Sequence, residues 1–349
     1  MKIIKSKDTK ITEVNFSTIK FGEIFTDHMF ECNFSNDSWG EPIVKPYSSF
    51  ELDPSTHVFH YGQAIFEGMK AYKDRENGLW LFRPRDNYNR LKESCVRMNI
   101  PVLPEEYFFE GLQKLILIEK EWISNQPGAS LYIRPFVFST SKMLAASPSK
   151  DYKFLIICSP GAAYYSGSIS VYIEDKYSRA APGGAGYAKA AGNYGAAFYP
   201  TSIAISKGYN QVVWTDSVNH EKIEEVGTMS IVFRIKDKLV TPKTSDTILD
   251  GVSRKSVIQC AKDLGIDIEE RDVTVKEILL EYQNGNLKEI FGCGTAAVVA
   301  PISSFGYKDN KYELEILNNS YASQIKKLIT DIQQNCCEDK HAWRYKIDN

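Results

Sequence analysis

Hydrophobic residues recur along the chain with two periods, and the switches between them outline the elements. Asp151–Cys158 (DYKFLIIC) carries a continuous apolar run, the pattern of a buried strand. Leu79–Phe82 and Gln211–Thr215 read as short strands, and Ser168–Ile173 as extended chain. Met229, Ile231, Phe233 and Ile235 alternate with their neighbours, which predicts a strand with one buried face. Tyr88, Leu91, Cys95 and Met98 fall at helical spacing and predict a helix over Asn87–Met98; a second is expected over Phe108–Trp122. Val257, Ile258, Ala261 and Leu264 predict another over Gly251–Leu264, opened by the small residues Gly251 and Ser253. A helical stretch ending near Lys207 contains Pro200, so it must kink or restart there.

The small, turn-rich segment SPGAAYYSGS divides this α+β pattern into two lobes. The expected organisation is an N-terminal domain over 1–160, a connection over 161–172 and a C-terminal domain over 173–349. A cleft between domains is where a small-molecule site is expected.

Composition narrows the function. The 349 residues hold 42 Lys plus Arg against 44 Asp plus Glu, a net charge of −2. Such a balance leaves no broad basic surface for a phosphate backbone, and nucleic-acid binding is not expected. No apolar run approaches the ~20 residues of a spanning helix. The segment MKIIKSKDTKITEV holds no signal-like hydrophobic stretch, so a soluble, cytoplasmic protein without membrane partners is expected. Seven scattered cysteines form no C-x-x-C pair and the five histidines show no ligand spacing, so reduced thiols and no metal are expected.

The unusual local feature is Lys189. From Ala180 to Ala197, Lys189 apart, only two tyrosines, one Asn and one Pro are larger than Ala. Such chain lets a flat ligand approach the backbone, with one amine projecting into the gap. A desolvated lysine can form a Schiff base with an aldehyde, whereas a solvated lysine on a flexible loop is the bland alternative. A phosphate-binding P-loop fails, because Lys189 follows Ala188 and precedes Ala190, and no dinucleotide fingerprint follows a strand. Three features favour the Schiff base. Gly251-Val252-Ser253 opens a helix whose N–H groups suit a phosphate. Gly294-Thr295-Ala296 offers a second small turn, and Arg90 could add a charge-assisted clamp. Each alone reads as a helix cap, a turn or a surface arginine.

Eight motifs then follow one another along nearly the whole chain. They are Phe21–Met29 (FGEIFTDHM), His60–Ala71 (HYGQAIFEGMKA), Leu81–Arg90 (LFRPRDNYNR), Leu131–Pro135 (LYIRP), Lys189–Gly195 (KAAGNYG), Glu224–Met229 (EEVGTM), Leu249–Arg254 (LDGVSR) and Phe291–Ala296 (FGCGTA). In this order they resemble the branched-chain amino acid aminotransferases, pyridoxal 5'-phosphate enzymes of fold type IV. The resemblance implies a two-domain α+β fold: a smaller N-terminal α/β domain, a larger C-terminal domain with a β-barrel-like core, and the cofactor in the interdomain cleft. It implies ping-pong transfer of the amino group of L-leucine, L-isoleucine or L-valine to 2-oxoglutarate, giving branched 2-oxo acids and L-glutamate.

Residue by residue, Lys189 resembles the lysine that holds the cofactor and moves the α-proton. Glu225 is similar to the acid facing the pyridine nitrogen, where a carboxylate keeps that nitrogen protonated. Tyr194 resembles the partner of the phenolic oxygen, and Thr228 the link to the pyridine side. Arg90, Gly251, Val252, Ser253 and Thr295 resemble the phosphate cup. Phe25, Phe66, Tyr132 and Tyr194 are similar to the aromatic walls around an aliphatic side chain. Tyr61 and Arg134 suit the second carboxylate of glutamate, and the Thr295 and Ala296 backbone the α-carboxylate. The family completes its site across a homodimer, so Tyr61 and the Met143–Ala146 loop would serve the other subunit. Two departures stand out. Ala297 and Ala300 replace the C-x-x-C of mammalian members, and Ser139–Pro148 differs from the usual Gly-containing loop. Other fold type IV enzymes, the D-amino acid aminotransferases and aminodeoxychorismate lyases, share the lysine and glutamate but not the F-T-D-H segment.

Overall fold

The computed structural model describes every residue except 17, 125–127, 162–166, 316, 319 and 349. Residues 162–166 of the expected connection, 161–172, lie outside the described residues. The chain forms two compact units. One comprises Met1–Tyr164, Ala188–Gly192 and Asp331–Asn349; the other comprises Tyr165–Tyr187 and Asn193–Thr330. Among the described residues, no helix is long and apolar enough to cross a membrane.

The first unit is built on one sheet. Its strands run, edge to edge, Lys2–Ile3, Ile43–Pro46, His28–Ser35, Tyr152–Gly161, Ser130–Ser139, Met69–Lys73, Leu79–Phe82 and Arg344–Ile347. Ala64–Phe66 pairs beside them on Ser130–Ser139. The apolar run at 151–158 is the start of the strand Tyr152–Gly161, which pairs over its whole length with Ser130–Ser139. Two helices cover the sheet. The first spans Pro84–Arg97 and begins ahead of the expected Asn87, because Pro84 occupies the opening turn, where its missing N–H costs nothing. The second spans Glu105–Ile118, and Trp122 falls in a separate 3₁₀ turn over Lys120–Trp122. Glu105 and Glu106 suit its N-terminal dipole, but as polar residues they leave no hydrophobic trace of the helix start.

Phe30, Phe108, Leu112 and Phe154 are fully buried where this second helix meets the sheet. Gly111 allows the approach: a Cβ there would lie 2.6 Å from the Phe30 ring. Gly111→Ala gains about 1 kcal/mol of helix propensity and incurs about 1–3 kcal/mol of overpacking. Net destabilisation is expected, read as a lower melting temperature; a raised one would show that the Phe30 ring gives way.

The second unit contains a closed ring of strands. Gln211–Thr215 lies between Ile223–Val226 and Ile169–Ile173; next come Val298–Tyr307, Leu287–Gly294 and Met229–Ile235, which pairs back onto Ile223–Val226. Met229–Ile235 has the expected bounds but not the expected single buried face, since all residues from Met229 to Phe233 are buried. Met229, Ile231 and Phe233 are buried with Val275 and Ile278 of the helix Val275–Gln283, and Ser230 and Val232 of the opposite face are buried as well. Gly251 closes on Ser230 of the opposite face, where a Cβ would lie 2.8 Å from its hydroxyl. The expected third helix spans Val252–Asp263, with Gly251 and Leu264 as caps, so Leu264 is exposed rather than on the buried face. The stretch before Lys207 is two helices, Ala191–Gly195 and Phe198–Ser206. The restart precedes Pro200, which sits in the first turn where no hydrogen bond is lost.

Candidate active site

In the first unit the site is assembled around the Lys189 backbone. Lys189 N–H donates to Ser94 Oγ at 2.9 Å, Phe66 N–H donates to the Lys189 carbonyl at 3.1 Å, and Ala190 bridges to Ile65. The lysine is therefore not on a loose loop; both its peptide groups are fixed. Its amine lies 4.8 Å from the centre of the Phe66 ring. The Arg134 guanidinium lies 4.6 Å from that same ring and 5.3 Å from the Tyr132 ring, and Nη2 donates to the Tyr132 hydroxyl at 3.0 Å. Tyr132 and Arg134 stand two apart on one strand, so they share a face. Gly68 makes room for this phenol, since a Cβ there would overlap the Tyr132 hydroxyl.

Arg90 is not a surface arginine. It is buried, and its Nε and Nη2 donate to Glu67 Oε1 and Oε2 at 2.8 and 2.9 Å. Asn87, Arg90 and Ser94 lie three and four apart, which aligns them on one buried stripe of the helix Pro84–Arg97. Asn87 and Arg90 donate to Glu67, and Ser94 holds Lys189.

In the second unit, Glu225 lies on the strand Ile223–Val226, and it is buried. Arg179 Nη2 lies 2.5 Å from its Oε2, 2.5 Å from the Thr247 carbonyl and 3.3 Å from the Gly186 carbonyl. One guanidinium thus ties the acid to two neighbouring loops. Glu224, next in the chain, is buried as well. Burial raises its carboxyl above the usual range, while the Thr247 hydroxyl, donating at 2.5 Å, and the charge of Arg179 oppose that.

The start of the helix Val252–Asp263 has no side-chain cap and no acid in its first turn. Its first N–H groups carry the positive end of the helix dipole, the chemistry a phosphate requires. Gly251 packs on Ser230, Ser230 pairs with Cys293, and the Thr295–Ala296 turn begins two residues beyond Cys293. That turn ends at Val298 with φ 61°, a left-handed conformation that β-branched residues rarely adopt. Strain of this kind costs about 1–3 kcal/mol and persists where the surroundings impose it.

The other expected residues are placed separately. Phe25 stacks on Tyr47 at 5.2 Å. Tyr61 is exposed and donates to the Leu144 carbonyl, so the two segments assigned to a partner's site touch each other. Thr228 is exposed in the turn after Val226, and half-buried Tyr194 belongs to the helix Ala191–Gly195. The motif reading passed over Glu67, Ser94 and Arg179. Glu67 sits inside one quoted motif (FEGMK) and Ser94 lies four residues beyond Arg90; these positions were their only signals.

Residues 64–305 match the family model described as amino-transferase class IV. The chain is a class IV aminotransferase. A probable branched-chain-amino-acid aminotransferase of Staphylococcus epidermidis is 44% identical over 340 residues, 95% of this chain and 94% of the relative. The branched-chain amino acid aminotransferase structure from Escherichia coli covers 93% of this chain and 99% of its own, with a TM-score of 0.75 and 25% identity. The enzyme from Thermobaculum terrenum in its PLP form covers 93% of this chain and 99% of its own, with a TM-score of 0.73 and 20% identity. The fold of this aminotransferase is thus fold type IV, with the closed ring of strands as its barrel.

Proposed function

We propose that this aminotransferase moves the amino group of L-leucine, L-isoleucine or L-valine to 2-oxoglutarate, with pyridoxal 5'-phosphate as cofactor. The reading rests on Lys189, whose backbone is fixed from both sides while its amine shares the Phe66 ring with Arg134. The donor chemistry fits the cofactor: an amine for an aldehyde, a helix start without a side-chain cap and a buried arginine for a phosphate, and a buried carboxylate for a pyridine nitrogen. When bound, the cofactor supplies an electron sink for the carbanion formed at the substrate Cα.

Lys189 Nζ would anchor the cofactor, then take the proton from the substrate Cα and return one in the second half-reaction. Arg90, Thr295 and the helix start at Gly251, Val252 and Ser253 would hold the phosphate. Glu225 would keep the pyridine nitrogen protonated, with Arg179 holding the carboxylate in place. Tyr194 would hydrogen-bond the phenolic oxygen and Thr228 would face the pyridine. Phe25, Phe66, Tyr132 and Tyr194 would line the aliphatic pocket. Arg134 and Tyr61 would take the second carboxylate of glutamate, and the Thr295 and Ala296 backbone the α-carboxylate. One pocket serving both amino donors makes the reaction ping-pong. We place the enzyme in the cytoplasm as a homodimer whose Tyr61 and Met143–Ala146 segment complete the other subunit's site, with domains at 1–160 and 173–349 joined by 161–172.

The test is the amino donor. With 2-oxoglutarate, L-leucine is expected to yield glutamate, and D-alanine to turn over at least about 100-fold more slowly, the discrimination of a pocket built for one stereochemical arrangement. Faster turnover of D-alanine would assign the chain to the D-amino acid branch instead.

A further inference from the structure

We propose that Glu67 is the positioning residue for Arg90: a buried carboxylate that turns the guanidinium so that its outward edge meets the cofactor phosphate. The proposal rests on the reading of Arg90 as a phosphate ligand and adds the residue that aims it.

The Glu67 side chain has no exposed surface, and both carboxylate oxygens accept hydrogen bonds. Oε1 accepts from Arg90 Nε at 2.8 Å. Oε2 accepts from Arg90 Nη2 at 2.9 Å, from Asn87 Nδ2 at 2.8 Å and from the Gly68 N–H at 3.2 Å. The Glu67 N–H donates to the Pro135 carbonyl at 2.7 Å, which fixes the Glu67 backbone to the strand Ser130–Ser139. Nothing in this arrangement leaves the carboxylate free to swing.

A guanidinium is a planar fork with five N–H donors. Bound through Nε and Nη2, it presents one edge to Glu67, and the geometry of the plane directs Nη1 away from it. An arginine without such a partner would lose rotamer freedom at each binding event. The pair removes that cost before any ligand arrives. Its price is Coulombic, since the carboxylate offsets part of the arginine's charge.

The carboxylate remains ionised despite its burial. Desolvation pushes Glu67 upward, but the charge and hydrogen bonds of Arg90, the charge of Lys189 and the Asn87 amide together bring it below the usual carboxylate range. A buried glutamate that carries its charge beside two cations of the site is an expensive device. A wholly structural role would be met as well by apolar residues of similar volume replacing both Glu67 and Arg90.

Glu67→Gln preserves shape but cannot accept from both Arg90 nitrogens as an anion. The measurement is the dissociation constant of pyridoxal 5'-phosphate from the apoenzyme, taken in parallel with pyridoxal, which has no phosphate. For E67Q the phosphate-bearing form is expected to bind about 10–100-fold more weakly, the range seen when an outer partner that orients a binding group is lost. Pyridoxal affinity is expected to stay within about twofold of the wild type. In the R90Q background, E67Q is expected to add little, because the two act as one unit. Equal weakening toward both ligands, or unchanged affinity for both, overturns the proposal. If R90Q itself leaves pyridoxal 5'-phosphate affinity unchanged, the phosphate reading of Arg90 fails instead. Should E67Q not fold, Asn87→Ala removes one donor to Oε2 and leaves the ion pair, and about threefold selective weakening is expected; no selective change there overturns the proposal too.

Discussion

Lys189→Ala is expected to lose turnover of L-leucine by at least about 10⁴-fold. A positioned amine acting as acid and base contributes roughly 10²–10⁴, and loss of the covalent anchor adds to that. The backbone should keep its place. The contacts that fix this residue, Lys189 N–H to Ser94 and Phe66 N–H to the Lys189 carbonyl, belong to the backbone and survive the substitution. Steady-state assay with 2-oxoglutarate measures the loss, and a melting curve checks the fold. The visible absorbance band of the cofactor-loaded protein should vanish with the amine. Turnover above about one hundredth of the wild type would remove Lys189 from the chemistry.

Glu225 should give the second largest effect, and on two quantities at once. Removal of a preorganised charge that stabilises the transition state costs about 10²–10³ in kcat. Glu225→Ala should fall in that range, with KM for L-leucine little altered, because the carboxylate faces the cofactor rather than the amino acid in the proposed reading. It should also destabilise the fold. Arg179 is buried against Glu225, and taking one member from a buried ion pair costs about 3–5 kcal/mol. Glu225→Gln retains a hydrogen-bond acceptor for Arg179 and should recover much of the stability while kcat stays low. If the glutamine variant recovered kcat together with its melting temperature, Glu225 would be a structural residue only.

The two substitutions contrast because the supports differ. Lys189 keeps its main-chain bonds to Ser94 and Phe66 when its side chain is cut back, whereas cutting back Glu225 takes a buried carboxylate from Arg179. The motif reading saw both residues and neither support. Arg179 lies outside all eight motifs, and Glu67 lies inside one of them, His60–Ala71, that assigned it no role. Tyr132 and Arg134 were legible only through the motif Leu131–Pro135; their shared face follows from the strand Ser130–Ser139, along which side chains alternate. Their meeting with Phe66 and Lys189 does not follow from any local period.

What the sequence determined by itself is local and chemical. Periodicity along Gln211–Thr215, Met229–Ile235 and Gly251–Leu264 set those elements within a residue or so, because helix and strand each return a side chain to the same face after a few positions. The order of eight motifs carried the family. Tertiary structure alone decided which distant groups meet: Lys189 with Ser94, 95 residues away, and Glu67 with Arg90, 23 away. It also decided that Arg344–Ile347 closes the sheet beside Leu79–Phe82, and that Met229–Ile235 is buried on both faces. Those outcomes depend on packing and pairing between segments with no shared local pattern, and a buried charge such as Glu67 becomes tolerable only after the fold has supplied its partners.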